Sequence, residues 1–144
     1  MKEELSLTLE YETFLVGGVE AGFARPDNPV FDAEGILWFT TDIFGSSISK
    51  GPYEGLGNNA LFVVLRSADR GGDFIRVAPA PKDAELTGIS FALDSNDLFV
   101  CVQHLGESSA DLNTLTSSWP GKPGELPRSG IVVLNGPFMD QLFT

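Results

Sequence analysis

Short runs of apolar residues, alternating or continuous, recur along nearly the whole chain and are separated by Gly, Pro and polar residues. No long stretch keeps an apolar period of about 3.6 residues, so the pattern indicates strands rather than helices. Turn residues join several of the runs into tight hairpins. The pattern predicts an all-β chain with strands over residues 5–16, 29–32, 36–41, 60–65, 73–77, 88–93, 98–102 and 130–134.

One internal similarity organises these strands. The segment 29–41 resembles the segment 89–102, and Phe31 and Phe91 stand 60 positions apart. A repeat of this length that is filled with short strands is typical of β-propeller blades, each built from four antiparallel strands. We therefore expect a partial β-propeller, and an eight-stranded sandwich is the alternative that the strand count leaves open.

The predicted strands divide into about two four-stranded blades within a single partial propeller unit that covers the whole chain. The first blade is expected over residues 29–79 and the second over residues 85–136. The second blade has only three predicted strands of its own. In propellers a strand from the other end of the chain commonly completes the last blade, so we expect the strand at 5–16 to take this place.

The charge balance narrows the choice of partners. Asp and Glu number 20 against 9 Lys and Arg, which gives a net charge of −11. Such a surface repels a phosphate backbone, so we expect no nucleic-acid partner, whereas it suits solubility or divalent cations. No apolar run reaches the roughly 18 residues of a membrane span, so we expect no membrane partner. The first residues resemble neither a Sec nor a twin-arginine signal, and we expect a soluble chain of unassigned compartment.

The chain has a single cysteine and a single histidine. Cys101 lies in an apolar run, where a buried thiol is expected, and one thiol excludes an intramolecular disulfide and a cysteine-based zinc site. His104 cannot build a two-histidine metal site. It can act alone as an acid or base, or it can hold its loop by hydrogen bonds. The sequence contains no nucleophile elbow, P-loop or dinucleotide fingerprint.

Oxygen-bearing residues stand at the ends of several predicted strands. Glu85 precedes the innermost strand of the second blade, where a carboxylate is a natural ligand for a hard cation. Asp27 and Asn28 take the equivalent place in the first blade and can offer oxygen to calcium, although Pro-Asp-Asn-Pro is equally typical of a turn. Asp42 and Asn59 are further metal-ligand candidates, which can instead cap strand ends.

The residues themselves resemble the PhoX-type alkaline phosphatases and their uncharacterised relatives. The similarity runs in order from about Phe14 to Leu134 and corresponds to the C-terminal part of that family, whose members are much longer. The stretches that carry it are FARPDNPVFDAEGILWFTTD (23–42), GNNALF (57–62), AELTGISF (84–91), LFVCVQHLGE (98–107), SWP (118–120) and PRS (127–129).

This resemblance implies a six-bladed propeller that hydrolyses phosphate esters with calcium and iron in its central funnel, in a family whose members are often exported. It marks Glu85 as a metal ligand near the phosphate. The family's phosphatases carry a basic residue near this Glu, and here the neighbours are Lys82 and Asp83. Cys101 does not match the position of the family's iron-binding cysteine, so iron is expected only if the full cluster is assembled.

We therefore expect a two-blade segment similar to the C-terminal part of a calcium- and iron-dependent PhoX-type phosphatase, without the complete active site on its own. Two alternatives stay open. The chain could form an active phosphomonoester hydrolase assembled from several copies, or it could be a non-catalytic binding or interaction module. Stoichiometric calcium or iron in the purified protein would distinguish the phosphatase hypotheses from the non-catalytic one.

Two blades with open edges predict self-association, because each apolar flank needs a cover. Six blades divide into three chains of two blades, so we expect a homotrimer, with a dimer as the alternative. The apolar strand pattern also predicts which rings are buried, and burial of each is worth roughly 1.5–3 kcal/mol. These aromatic residues are Phe31, Trp38, Phe62, Phe91 and Phe99.

Overall fold

A computed structural model describes residues 8–65 and 73–142 of the chain. It contains seven strands and one short helix, together with two 3₁₀ turns at Gly45–Ser47 and Gly51–Tyr53. The elements are β1 (Pro26–Phe31), β2 (Leu37–Thr41), β3 (Ala60–Val64), β4 (Phe74–Pro79), β5 (Glu85–Phe91), β6 (Leu98–Gln103), β7 (Gly130–Leu134) and α1 (Pro137–Leu142).

The strands form two antiparallel sheets in which each strand pairs with the next one along the chain. The first sheet has the order β1-β2-β3-β4 and the second has the order β5-β6-β7. The all-β class and its blade-like sheets are thereby confirmed. Both sheets begin with an irregular pairing, between Asp27 and Val30 in β1 and between Thr87 and Ser90 in β5. The two halves of the repeat detected in the sequence therefore correspond to the first two strands of each sheet.

The main core lies between the two sheets. Trp38 and Leu61 of the first sheet meet Leu98 and Val100 of the second, and all four side chains are almost completely buried. The turn before β2 is fixed from within this core, because buried Asp32 accepts a hydrogen bond from Trp38 Nε1 at 2.9 Å. The same carboxylate accepts two backbone N–H groups of the turn, as expected of an Asx turn.

A second, smaller cluster covers the face of the first sheet that points away from the second sheet. Phe39 and Phe62 stack there with their ring centroids 5.2 Å apart. Phe23 closes over both rings and is 2% exposed. The chain before β1 therefore packs on the outer face of the first sheet, where Leu15 also contacts the cluster.

The predicted burial of aromatic rings is only partly correct. Trp38 and Phe62 are buried, and Phe91 is half-buried with its ring edge-on to Trp38. Phe31 is 67% exposed and Phe99 is 37% exposed, so the prediction that these two rings are buried is wrong. Successive strand residues point to opposite faces. In both strands the residues next to these phenylalanines point towards the core instead. In a continuous apolar run, the sequence does not reveal whether the odd-numbered or the even-numbered residues face the core.

The predicted strand at residues 5–16 is not formed in the part of it that the structure describes. Residues 8–16 carry no strand, and residues 5–7 lie outside the described part of the chain. Whether this segment completes the second blade stays a prediction. In the described residues, no helix is long and apolar enough to cross a membrane. The thiol of Cys101 is half-buried rather than buried as expected.

Candidate functional site

Polar residues from both sheets meet where several strands begin or end. Asp42 follows the last residue of β2, Asn59 precedes β3, and Glu85 opens β5 beside Gln103 at the end of β6. Antiparallel pairing brings the end of one strand to the beginning of the next, which gathers these positions at one edge. They surround a small cavity of about 90 Å³ whose lining residues are Asp42, Ile43, Phe44, Gly45, Asn59, Ala84, Glu85, His104 and Glu107.

The centre of this cavity is a pair of carboxyl groups contributed by the two sheets. Glu85 is 8% exposed, and its carboxyl lies within hydrogen-bonding reach of the Asp42 side chain. Burial raises the pKa of Glu85 above its usual value and the Asp42 carboxyl raises it further, whereas Gln103 and His104 oppose the shift.

Two neighbours orient the Glu85 carboxyl. Gln103 Nε2 donates a hydrogen bond to Glu85 Oε1. The imidazole of His104 lies between two acidic groups, with Nε2 at 3.5 Å from Glu85 Oε1 and Nδ1 at 3.6 Å from Glu107 Oε2. The backbone of His104 is left-handed with φ of 57° at the start of the loop. His104 therefore contacts the carboxyl pair while more than half of its side chain stays exposed.

Asn59 supports the cavity through hydrogen bonds within the protein. Its Oδ1 accepts the Ile43 N–H at 2.7 Å, and its Nδ2 donates to the Ile43 carbonyl at 3.0 Å. The same amide lies 3.4 Å from the carbonyl of Ala84, the residue before Glu85. Asn59 thus ties the segment after β2 to the segment before β5, which holds Asp42 and Glu85 together.

The Asp27–Asn28 pair lies in the irregular part of β1 and does not line this cavity. Asn28 Nδ2 donates to Asp27 Oδ2 at 2.6 Å, and Asn28 Oδ1 accepts the Gly88 N–H at 3.4 Å. Asn28 has φ of 46°, a conformation that Asn tolerates better than most residues. Both side chains therefore serve the strand irregularity, and a metal-binding role for them stays a prediction.

Asp83 is not among the site residues that the sequence predicts, yet it joins the loop after β6 to the turn before β5. It accepts hydrogen bonds from the backbone N–H of Ser108 at 3.0 Å, from Ser108 Oγ at 2.8 Å and from the Thr116 hydroxyl. Burial acts to raise the pKa of Asp83, but these hydrogen bonds outweigh it and hold the pKa below its usual value. The backbone carbonyl of Asp83 also accepts the N–H of Gly106 at 2.8 Å.

This loop attachment leaves a wider groove of about 550 Å³ beside the small cavity. The two share Gly45, whose N–H donates to Glu107 Oε1 at 3.1 Å. A Cβ added at Gly45 would lie 2.7 Å from Ser108 Oγ, so a larger residue here would require the side chains of Ser108 and Asp83 to shift. The groove is lined by Gly45, Ile48, Ser49, Asn58, Ala80, Lys82, Asp83, Ser108 and Thr116.

The donor chemistry at the cavity suits a hard cation only in part. Carboxylate oxygens are the ligands that calcium prefers, and Glu85 and Asp42 bring two of them into contact. Across residues 8–65 and 73–142, no group of three or more His, Cys, Asp and Glu side chains is arranged to hold a metal ion. Cys101 is not among the residues that line the cavity, so its thiolate is not available as an iron ligand in this cavity.

Comparison with known proteins agrees with the resemblance noted in the sequence. The family model described as alkaline phosphatase PhoX matches residues 14–106. The chain is also similar to the solved structure of Pseudomonas fluorescens PhoX in complex with vanadate, a transition state analogue. The identity is 37% and the TM-score is 0.57, over 75% of this chain.

The extent of the match limits what it says about activity. This chain spans 17% of the length of the solved Pseudomonas fluorescens protein. None of the curated proteins matches it. The family model nevertheless covers well over half of the chain, including both residues of the carboxyl pair. The chain belongs to the PhoX alkaline phosphatase family.

Proposed function

We propose that the chain supplies part of the site of a metal-dependent phosphomonoesterase, with Glu85 and Asp42 as carboxylate ligands of a hard cation. The observation that carries the proposal is the carboxyl pair itself, in which Glu85 is 8% exposed and lies within hydrogen-bonding reach of Asp42 in the same cavity. Membership of the PhoX family gives the reaction class. Calcium is the first candidate, because both groups offer oxygen.

The raised pKa of Glu85 gives a physical reason for expecting a cation here. Two carboxylates in contact repel each other when both are ionised, and burial increases this cost. A proton relieves the repulsion at low pH. A divalent cation relieves it at neutral pH, and the cavity of about 90 Å³ has room for an ion with a few waters. A bound cation would neutralise charge that develops on a transferring phosphoryl group.

The remaining side chains have roles that follow from their contacts. Gln103 holds Oε1 of Glu85 by a hydrogen bond and thereby fixes the carboxyl plane. His104 touches the pair through Nε2 and remains open to solvent, so it is placed to move a proton to or from a bound alcohol. Glu107 Oε2 lies 3.6 Å from Nδ1 and thereby helps to orient the ring.

The chain by itself does not contain a complete site in this proposal. The described residues bring together two carboxyl groups but no set of three metal-binding side chains, and the solved relative is much longer. Further ligands therefore come from additional copies or from other chain segments. Iron belongs to the proposal only for such a completed assembly. A non-catalytic binding module is the second candidate, favoured by the Gln103 hydrogen bond and the His104 contact that already occupy Glu85.

The test combines calcium binding with phosphatase activity in the same samples. Calcium at millimolar concentration should raise the Tm of the wild type, because binding to the folded state alone stabilises it by about 2.7 kcal/mol at a concentration of 100 Kd. Glu85→Gln and Asp42→Asn should lose most of this shift. Glu54→Gln, at an exposed position that does not line the cavity, is the matched control.

Hydrolysis of p-nitrophenyl phosphate separates the two candidate functions. Calcium-dependent hydrolysis that is abolished by Glu85→Gln supports a phosphatase site. A calcium-dependent Tm shift without hydrolysis at any protein concentration contradicts a site completed by copies of this chain, and it leaves completion by other chain segments or the binding module. An unchanged wild-type Tm in millimolar calcium contradicts both the cation site and the function built on it.

A further inference from the structure

Two side chains at the carboxyl cavity come from a turn rather than from a strand. His104 and Glu107 both line the cavity, and both lie in the turn that follows β6. Within this turn the Glu107 N–H reaches the His104 carbonyl at 3.2 Å, and the backbones of His104 and Gly106 are left-handed. A short turn of this kind needs contacts from outside to keep its side chains in one arrangement.

Asp83 supplies such contacts from the segment before β5. Its carboxylate accepts the Ser108 N–H at 3.0 Å and the Ser108 Oγ at 2.8 Å, directly after Glu107. It also accepts the Thr116 hydroxyl farther along the loop. The Asp83 carbonyl accepts the Gly106 N–H at 2.8 Å. Because β6 holds the beginning of the turn through its pairing with β5, these hydrogen bonds hold its end.

Asp83 is also close to the other segments that form the cavity. It stands two positions before Glu85, so one short segment carries a member of the carboxyl pair and the acceptor that holds the turn. Its carboxylate faces Gly45, because a Cβ added at Gly45 would meet Asp83 Oδ1 before any other atom. Gly45 in turn donates its N–H to Glu107 Oε1 at 3.1 Å. Asp83 thus contacts the segments after β2 and after β6 from its own place before β5.

We propose that Asp83 is a positioning residue that holds the turn carrying His104 and Glu107 against the carboxyl pair, so that the cavity is preorganised for a cation. Asp83 acts on the cation site of the proposed function, on which the inference rests. It does not line the small cavity, so it acts through the turn and not as a ligand. Residues that orient a metal site from outside typically contribute about 10–100-fold to its affinity.

Removal of the Asp83 carboxylate should act through order in the turn. Without this acceptor the turn has further arrangements open to it, and a binding cation has to restrict them again. Glu107 then no longer keeps its negative charge at the cavity wall. Asp83→Gly is the variant of choice, because Asp83 has φ of 53° and Gly adopts this conformation without strain.

NMR of the full chain at one fixed pH tests the positioning role without any metal. His104 is the only histidine of the chain, so its ring resonances are assigned without ambiguity. In Asp83→Gly they should move from their wild-type positions towards those of a histidine in an unstructured peptide. The indole N–H of Trp38, which bonds buried Asp32, should keep its wild-type resonance and thereby show that the core is intact.

Asp111→Asn is the matched control in the same loop. The Asp111 carboxylate also accepts a backbone N–H and a hydroxyl, at 2.8 Å from Asn113 and at 3.0 Å from Thr114, but these partners are local. This variant removes one negative charge, as Asp83→Gly does, and it should leave the His104 resonances unchanged. A loss of stability alone does not move the resonance of a folded protein, so the comparison separates positioning from stabilisation.

Calcium titration of the same proteins tests the consequence for the cation site. Asp83→Gly should bind calcium about 10-fold more weakly than the wild type, whereas Asp111→Asn should keep the wild-type affinity. Ser108→Ala combined with Thr116→Val removes two of the donors and keeps the Asp83 charge. This double variant should also bind calcium more weakly. Weaker binding in Asp83→Gly alone would reflect the lost charge and would overturn the positioning role.

Failure of this inference and failure of the proposed function give different results. If the wild type binds calcium and Asp83→Gly binds it equally well, the positioning role is wrong and the cation site remains. If the wild type binds no calcium, the proposed function is contradicted, and the role of Asp83 in cation binding is wrong with it. His104 resonances that are the same in Asp83→Gly and the wild type overturn the inference in either case.

Discussion

Replacing Glu85 with Gln removes a carboxyl whose pKa is higher in the folded chain than in the unfolded one. Burial and the Asp42 carboxyl cause the shift, and the usual value for an unfolded Glu is 4.5. Below that value Glu85 is protonated in both states and its contribution to stability is fully present. As the pH rises towards the folded pKa, the unfolded chain releases its proton first, so the folded state loses stability relative to the unfolded state.

Glutamine keeps an oxygen that accepts the hydrogen bond from Gln103 and adds an amide that can donate to Asp42. It cannot ionise. The free energy of unfolding of Glu85→Gln should therefore rise relative to that of the wild type as the pH increases above 4.5. The limiting slope for one proton is about 1.4 kcal/mol per pH unit, and the difference levels off above the folded pKa.

The measurement is urea unfolding of both proteins at intervals from pH 4 to pH 8, with a chelator present so that metal binding does not contribute. For a chain of this size each kcal/mol corresponds to roughly 4 °C in Tm, so thermal unfolding provides a second readout. Glu54→Gln should show no such dependence. A difference between Glu85→Gln and wild type that is constant with pH, or that falls as pH rises, would refute the description of the carboxyl pair.

Other substitutions test the loop attachment and the core. Asp83→Asn should cost about 1–2 kcal/mol at neutral pH, because Asn is a weaker acceptor for Ser108 than a carboxylate is. Since the pKa of Asp83 is lowered by folding, this cost should disappear as the pH falls below 3.8, whereas exposed Asp94→Asn should have little effect at any pH. Trp38→Ala should cost about 3–5 kcal/mol in urea unfolding, with buried Asp32 losing a donor, and an effect below 1 kcal/mol would contradict the core described.

The sequence predicted the strands well because each is a short apolar run bounded by turn residues. It did not assign Phe31 and Phe99 to the correct face of their sheets, because in each strand the adjacent residues could equally have pointed inward. In β1 the irregular pairing further obscures the alternation. Tertiary packing decided between the two sets of alternate residues. The segment 8–16 has the alternation of a strand but finds no pairing partner within the described chain, so its pattern is a property of the sequence alone.

For the candidate site, the sequence selected both members of the carboxyl pair, since Glu85 and Asp42 each stand at a strand end. It did not select Gln103 or Glu107, although both lie in a stretch that resembles the family. Their contact with the pair depends on the pairing of β5 with β6 and on the left-handed backbone at His104. The pattern of apolar and polar residues predicts neither this strand pairing nor the backbone conformation of His104.

The central claim is that Glu85 and Asp42 hold a cation together, and the calcium content of purified protein tests it most directly. The wild type is dialysed to equilibrium against a buffer of known calcium concentration and analysed for metals beside Glu85→Gln, Asp42→Asn and the Glu54→Gln control. The account predicts that the wild type and the control retain calcium in a fixed ratio to protein, while both site variants lose it. Wild-type protein with no calcium above the buffer level, or equal retention by all four proteins, would contradict the claim.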